Sequence, residues 1–97
     1  RFDFSELCNK NIGAEDYIKI TDVSQYIFIE SLPNFNDKNS NQQQRFITLI
    51  DIIYEKKVSL AISSISNLNK LTSSKSLSEP FKRTLSRLHE LTSSKNN

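Results

Sequence analysis

Apolar residues in this chain come in separate bursts whose periods differ, and the period of each burst predicts an element. The longest is QQQRFITLIDIIYEKK, residues 42–57. On a helical wheel of about 100° per residue, Leu49, Ile50 and Ile53 flank Phe46, while Ile47, Tyr54 and Ile52 widen the apolar arc. Thr48, Asp51 and Glu55 cluster opposite. Such a wide arc predicts a largely buried helix with one polar stripe, on which Asp51 and Glu55 are solvated. Asn41 or Ser40 can cap its start, and Lys56 and Lys57 complement its C-terminal dipole.

Two strands flank this helix. In QYIFIESLP, residues Tyr26 to Ile29 run aromatic or β-branched without a polar break, which predicts a strand covered on both faces and ended by Pro33. In VSLAISS, Val58, Leu60 and Ile62 alternate with smaller residues. Strand, long helix, strand is a βαβ pattern, with a parallel pair and a right-handed crossover expected.

The remaining segments are shorter. Phe2 and Phe4 alternate, Ser5 is placed to cap a turn over Glu6–Asn9, and Ala14–Thr21 reads as a short helix with Glu15 and Asp16 at its N-terminus. NFNDKNSN, residues 34–41, is polar enough to predict a solvent loop. Residues 63–78 are rich in Ser and Asn and read as a loop with one turn near Leu68–Leu71. FKRTLSRLHEL, residues 81–91, forms a last helix with Phe81, Leu85 and Leu88 on one face, Ser78 as cap and Pro80 in the first turn. Residues 92–97 are expected to fray.

The fold class is therefore α/β: a partial parallel sheet with flanking helices. Two strands and one helix bury too little to be stable alone, so further strands are expected upstream of Arg1, with Phe2 and Phe4 ending one of them. The 97 residues contain no methionine and begin at Arg1, which suits one fragment of a single larger module. The one glycine, Gly13, is too few for a phosphate-cradling loop, so any such loop is expected outside this stretch.

Charge changes the picture at the C-terminal end only. Residues 1–30 carry three Lys/Arg against six Asp/Glu, whereas residues 70–97 carry six against two. The net charge of +2 does not suggest nucleic acid. With one cysteine and one histidine, neither a disulfide nor a zinc site can be built from this chain alone. Cys8 has no neighbouring base and reads as a small buried hydrophobe. No catalytic set is complete. Arg83 and Arg87 lie four apart, so their guanidinium groups can converge on one anion, or form a solvated face on which Arg87 pairs with Glu90. Arg45, near the start of the long helix, is either a finger reaching a neighbouring subunit's phosphate or a side chain snorkelling along its helix.

The order of these residues resembles one family. FDFSELC followed by GAEDY, then YIFIESLP, then QRFITLIDIIYEKKVSL, then FKRTLSRLHEL are similar, block by block, to the ZapE-type ATPases. These are bacterial cell-division ATPases and mitochondrial relatives, of the AAA+ P-loop class. Gln44 stands where that family has the first of two arginines, leaving Arg45, and Leu91 and Thr92 replace Met and Gln. The resemblance implies the C-terminal part of such an ATPase, with the Walker motifs and first sensor upstream. It implies ATP and Mg²⁺ bound mainly outside this fragment, and hydrolysis coupled to remodelling a protein substrate in cell division or protein quality control. It also implies a homo-oligomer joined to the upstream part of the same chain, in the cytoplasm or the mitochondrion, with peripheral membrane association possible and no nucleic acid. Arg83 and Arg87 then become nucleotide-sensing or interface residues, with Arg45 next. The competing expectation is a stand-alone, non-catalytic binding module that offers its basic last helix to an acidic partner.

Overall fold

In the computed structural model, residues 2–8, 12–64 and 71–93 are described. Strand β1 is Phe2–Asp3 and runs directly into α1, Phe4–Leu7. Asp3, and not Ser5, caps this turn. Its backbone is extended, its carboxylate accepts from the Ser5 N–H at 3.1 Å, and the Glu6 carboxylate accepts from the Asp3 N–H at 2.8 Å. An acidic residue at the third helical position closes the reciprocal box, which Ser5 could not form. Helix α2, Ala14–Val23, starts at Gly13, whose N–H donates to Asp16, and runs two residues past Thr21.

Strands β2 (Tyr26–Leu32) and β3 (Ser59–Ser64) pair in parallel, as the βαβ pattern predicts, and β1 adds a parallel third strand in the order β1-β2-β3. Phe2 thus belongs to a strand, while Phe4 opens a helix. Ile27 lies opposite Leu60 and Ile29 opposite Ile62, but Leu32 meets Ser64, so β2 takes one residue more than its partner. Ser31 supplies the extra residue in a left-handed conformation, φ 65°. The bulge changes the parity of the strand. Leu32 consequently returns to the side of Ile27 and Ile29, and all three are buried. Strand β2 is not covered equally on both faces as expected. Tyr26 is 54% exposed and Phe28 is half-buried, whereas Ile27 and Ile29 join one core cluster with residues of α2, α3 and α4.

Helix α3, Ser40–Lys56, is the buried centre of that layer, with Phe46, Leu49, Ile50 and Ile53 inaccessible. Neither Ser40 nor Asn41 caps it. A 3-10 turn, Asp37–Asn39, leads into it, and Asn36 and Asn39 satisfy each other's turn, the Asn36 N–H donating to Asn39 Oδ1 at 2.7 Å. At its far end Lys57 is left-handed, φ 58°, with its N–H on Tyr54 O and the Val58 N–H on Ile53 O. This Schellman closure delivers the chain into β3 within two residues.

The polar loop after β2 hides the largest departure from the sequence reading. Phe35, set between asparagines, is fully buried. Its ring centroid lies 5.6 Å from Phe4, 5.7 Å from Phe46 and 5.5 Å from Phe81. A single aromatic residue in a polar run leaves no period to read, so only the packing identifies it as core. Residues 71–77 are likewise anchored. Buried Gln43 donates to Ser73 Oγ at 2.7 Å and accepts the Ser74 N–H at 3.0 Å, and Thr72 Oγ1 donates to Phe35 O at 2.7 Å. The turn expected near Leu68–Leu71 falls mostly outside the described residues. A 3-10 turn, Lys75–Leu77, precedes α4, Ser78–Ser93. The Ser78 hydroxyl donates to Lys75 O rather than capping the helix. The helix extends to Ser93, two residues into the segment expected to fray, and the Thr92 hydroxyl donates to Leu88 O.

Phe35→Ala should lower stability by about 3–5 kcal/mol, because it removes one ring from three aromatic contacts and leaves a cavity at the junction of four segments. Chemical denaturation of the purified protein checks this.

Candidate functional site

The polar stripe of α3 faces α4, and this brings the two C-terminal arginines together. Arg87 Nη1 donates to Asp51 Oδ1, while Arg83 Nη2 lies 3.8 Å from Asp51 Oδ2. One carboxylate therefore serves two guanidinium groups. Asp51 is thus not the solvated residue that its place on the stripe suggested. The two arginines are held differently. Arg87 is 25% exposed and its guanidinium carbon sits 4.7 Å over the Tyr54 ring, a cation–π arrangement. Arg83 is 60% exposed and, among the described residues, is held by the longer contact.

Glu90 does not pair with Arg87. Its carboxylate accepts the Tyr54 hydroxyl, both oxygens at 3.1 Å. That hydrogen bond, with the negative charge of Glu90, raises the Tyr54 phenol above its ordinary value, and the nearby Arg87 opposes the shift. Asp51 and Tyr54 are three apart, as are Arg87 and Glu90, so each helix presents one turn to the other. This matched spacing was the signal in the sequence that could have identified Asp51 and Tyr54.

Arg83 and Arg87 line an open groove of about 470 Å³ between α2, α3 and α4, together with Asp51, Ile18, Ile52, Glu55 and Lys56. Lys56 is itself paired with Asp22 of α2. The lining mixes the cationic groups of Arg83, Arg87 and Lys56 with the carboxylates of Asp51 and Glu55, and the most exposed guanidinium, that of Arg83, is the one able to meet an incoming anion.

Arg45 is not part of this group. It precedes Asp51 by six residues, about 9 Å along α3 and about 120° around it. Half-buried, it lies near enough to Cys8 and Tyr17 to lower both their pKa values. Burial dominates there. The Cys8 thiol is pushed up to about 12, and the Tyr17 phenol, which donates to Leu7 O at 2.5 Å, is also raised. Cys8 is fully buried, as expected of a small hydrophobe. His89 is exposed. Among the described residues, no group of three or more His, Cys, Asp or Glu side chains is placed to hold a metal ion, and no helix is long and apolar enough to cross a membrane.

Comparison with known proteins places the whole chain in a family. The family model described as AFG1-like ATPase matches residues 1–96. The chain belongs to the AFG1-like ATPase family. It is 34% identical over 68 residues to lactation elevated protein 1 homolog B of Danio rerio, a match covering 70% of this chain and 14% of that protein. It is 30% identical over 90 residues to cell division protein ZapE of Escherichia coli strain K12, covering 93% of this chain and 24% of that protein. The chain thus spans a quarter or less of the length of these relatives. No solved structure matches significantly. The likeness to the ZapE family seen in the sequence is borne out.

The buried thiol gives a pH dependence with a defined sign. An unfolded cysteine loses its proton near pH 8.5, whereas folded Cys8 keeps it to about 12. Between these values the folded state binds more protons, so stability falls as pH rises. From pH 8 to pH 10 the stability advantage of the wild type over Cys8→Ala should shrink by about 1–2 kcal/mol, measured by denaturant unfolding at each pH.

Proposed function

We propose that these residues form the C-terminal part of an ATP-hydrolysing module of the AAA+ P-loop class, and that Arg83 and Arg87 sense the nucleotide or complete a subunit boundary. The observation that carries this reading is the meeting of the two arginines at one open groove, in a chain of an ATPase family. The described residues contribute no metal ligand set, and Gly13 sits exposed at a helix start. They do not fit the role of a phosphate loop or a Mg²⁺ site. ATP, as substrate, and Mg²⁺ would be held chiefly by residues beyond this stretch. What these residues fit is the recognition of phosphate charge by guanidinium groups. Arg45, near Cys8 and Tyr17 on another side of α3, is the next candidate for an interface role.

The wider reading follows from the relatives. One of them is a cell division protein by name, which supports a cycle of hydrolysis that remodels a protein partner during division or quality control. Arginines at an exposed groove suit a homo-oligomer in which each subunit completes its neighbour's site. A cytoplasmic location fits the bacterial relative, with the mitochondrion as the alternative.

In the full-length protein, Arg87→Ala should reduce ATPase rate or nucleotide affinity by tenfold or more, since the groove loses the charge-assisted pair of Arg87 with Asp51, worth about 1.5–3 kcal/mol. If both stay within about twofold, the sensing role is wrong. The purified 97 residues alone should show no ATP turnover in a phosphate-release assay, and turnover would contradict the assignment of the hydrolytic machinery to the rest of the protein.

A further inference from the structure

The two arginines share a carboxylate but not a degree of freedom. Arg87 is fixed twice, by Asp51 on one side and by the Tyr54 ring at 4.7 Å on the other, and Tyr54 is itself tied to Glu90. Asp51 is therefore a braced carboxylate on a buried helix and not a free surface charge. Arg83, one turn earlier on α4, rests 3.8 Å from the second oxygen of that carboxylate and remains 60% exposed at the groove. An exposed pair at that separation holds weakly. A phosphate oxygen presenting more charge and a better fork geometry would displace it.

We propose that Asp51 is a positioning residue: braced by Arg87, it parks the Arg83 guanidinium at the mouth of the groove, and Arg83 is the member of the pair that transfers to an incoming phosphate. This rests on the reading that the groove meets nucleotide phosphates. It assigns distinct parts to residues that spacing alone makes equivalent. Arg87 acts through Asp51, and Arg83 makes the contact. The charge balance agrees. Of the two positive charges facing Asp51, one is neutralised in a close pair and the other stays available.

The test uses the full-length ATPase with Arg83→Ala, Asp51→Asn, the double variant and Asp51→Glu. Equilibrium binding of ADP and of a non-hydrolysable ATP analogue is measured beside kcat, KM and Tm. Arg83→Ala should reduce the preference for the ATP analogue over ADP by about tenfold. Asp51→Asn should reduce that preference and kcat by about fivefold, with KM changed less than about twofold, and Asp51→Glu should recover most of the loss. In the Arg83→Ala background, Asp51→Asn should add less than about twofold, the mark of two residues acting through one contact. If Arg83→Ala changes neither binding preference nor kcat, the nucleotide reading of the groove fails, and positioning fails with it. If Arg83→Ala has its effect but Asp51→Asn has none, or costs as much in the double variant as alone, the positioning role is overturned while the nucleotide reading stands. Should Asp51→Asn lower Tm so far that the protein does not fold, Arg87→Lys provides the same comparison. It keeps a charge beside Asp51 but loses the fork and the ring contact, and must lose the preference only where Arg83 is present.

Discussion

The structure depends on the burial of Phe35 against Phe4, Phe46 and Phe81. These rings come from a loop, the first turn, the central helix and the last helix, so each segment finds its apolar partner only when the others are in place. The tilted and edge-on arrangements suit the electrostatics of aromatic faces and edges. Around this cluster the backbone of the polar loops is satisfied locally: Asn36 and Asn39 close one turn, and Gln43 holds Ser73 and Ser74. A buried amide with both ends engaged, beside Leu71 and Leu77 packed on the core, keeps this Ser-rich segment on the surface of α3.

That packing determines where the site lies. With α3 buried along most of its circumference, its polar stripe has one direction left, and α4 docks beside it. The charged residues on the facing turns then form a contact network and not a solvated fringe. Asp51 and Arg87 neutralise each other, and Tyr54 joins Arg87 to Glu90. The apolar face of α4, with Phe81 and Leu88 buried, fixes its rotation. The angle at which Arg83 reaches the groove is thus a consequence of core packing at Phe81 and Leu88, on either side of it along the helix.

Much of the fold could be read along the chain. The strand–helix–strand order, the parallel pairing, the buried face of α3 and the amphipathic last helix follow from periods that survive averaging over several residues. Caps were less legible. Asp3, Asn36 and Ser78 differ from expectation because two or three neighbouring residues in each case were chemically able to cap, and the backbone path chooses among them. Phe35 was hidden because one aromatic residue among asparagines has no pattern. The bulge at Ser31 was hidden because a left-handed serine has no sequence signature comparable to glycine's. At the candidate site, the convergence of Arg83 and Arg87 could be anticipated from their spacing, whereas Asp51 was read as solvated because its partners lie on a different helix.

By itself, then, the chain determined which residues face inward within each element and that the α3 connection joins parallel strands, since these depend on local period and connection length. It also carried enough ordered similarity to place the protein in an ATPase family. Only the tertiary structure decided which polar groups meet. The pairing of Asp51 with both arginines, the separation of Arg45 from them and the burial of Phe35 depend on the rotation and approach of packed helices. Those are set by the complementary shapes of side chains distant in sequence, which no single segment encodes.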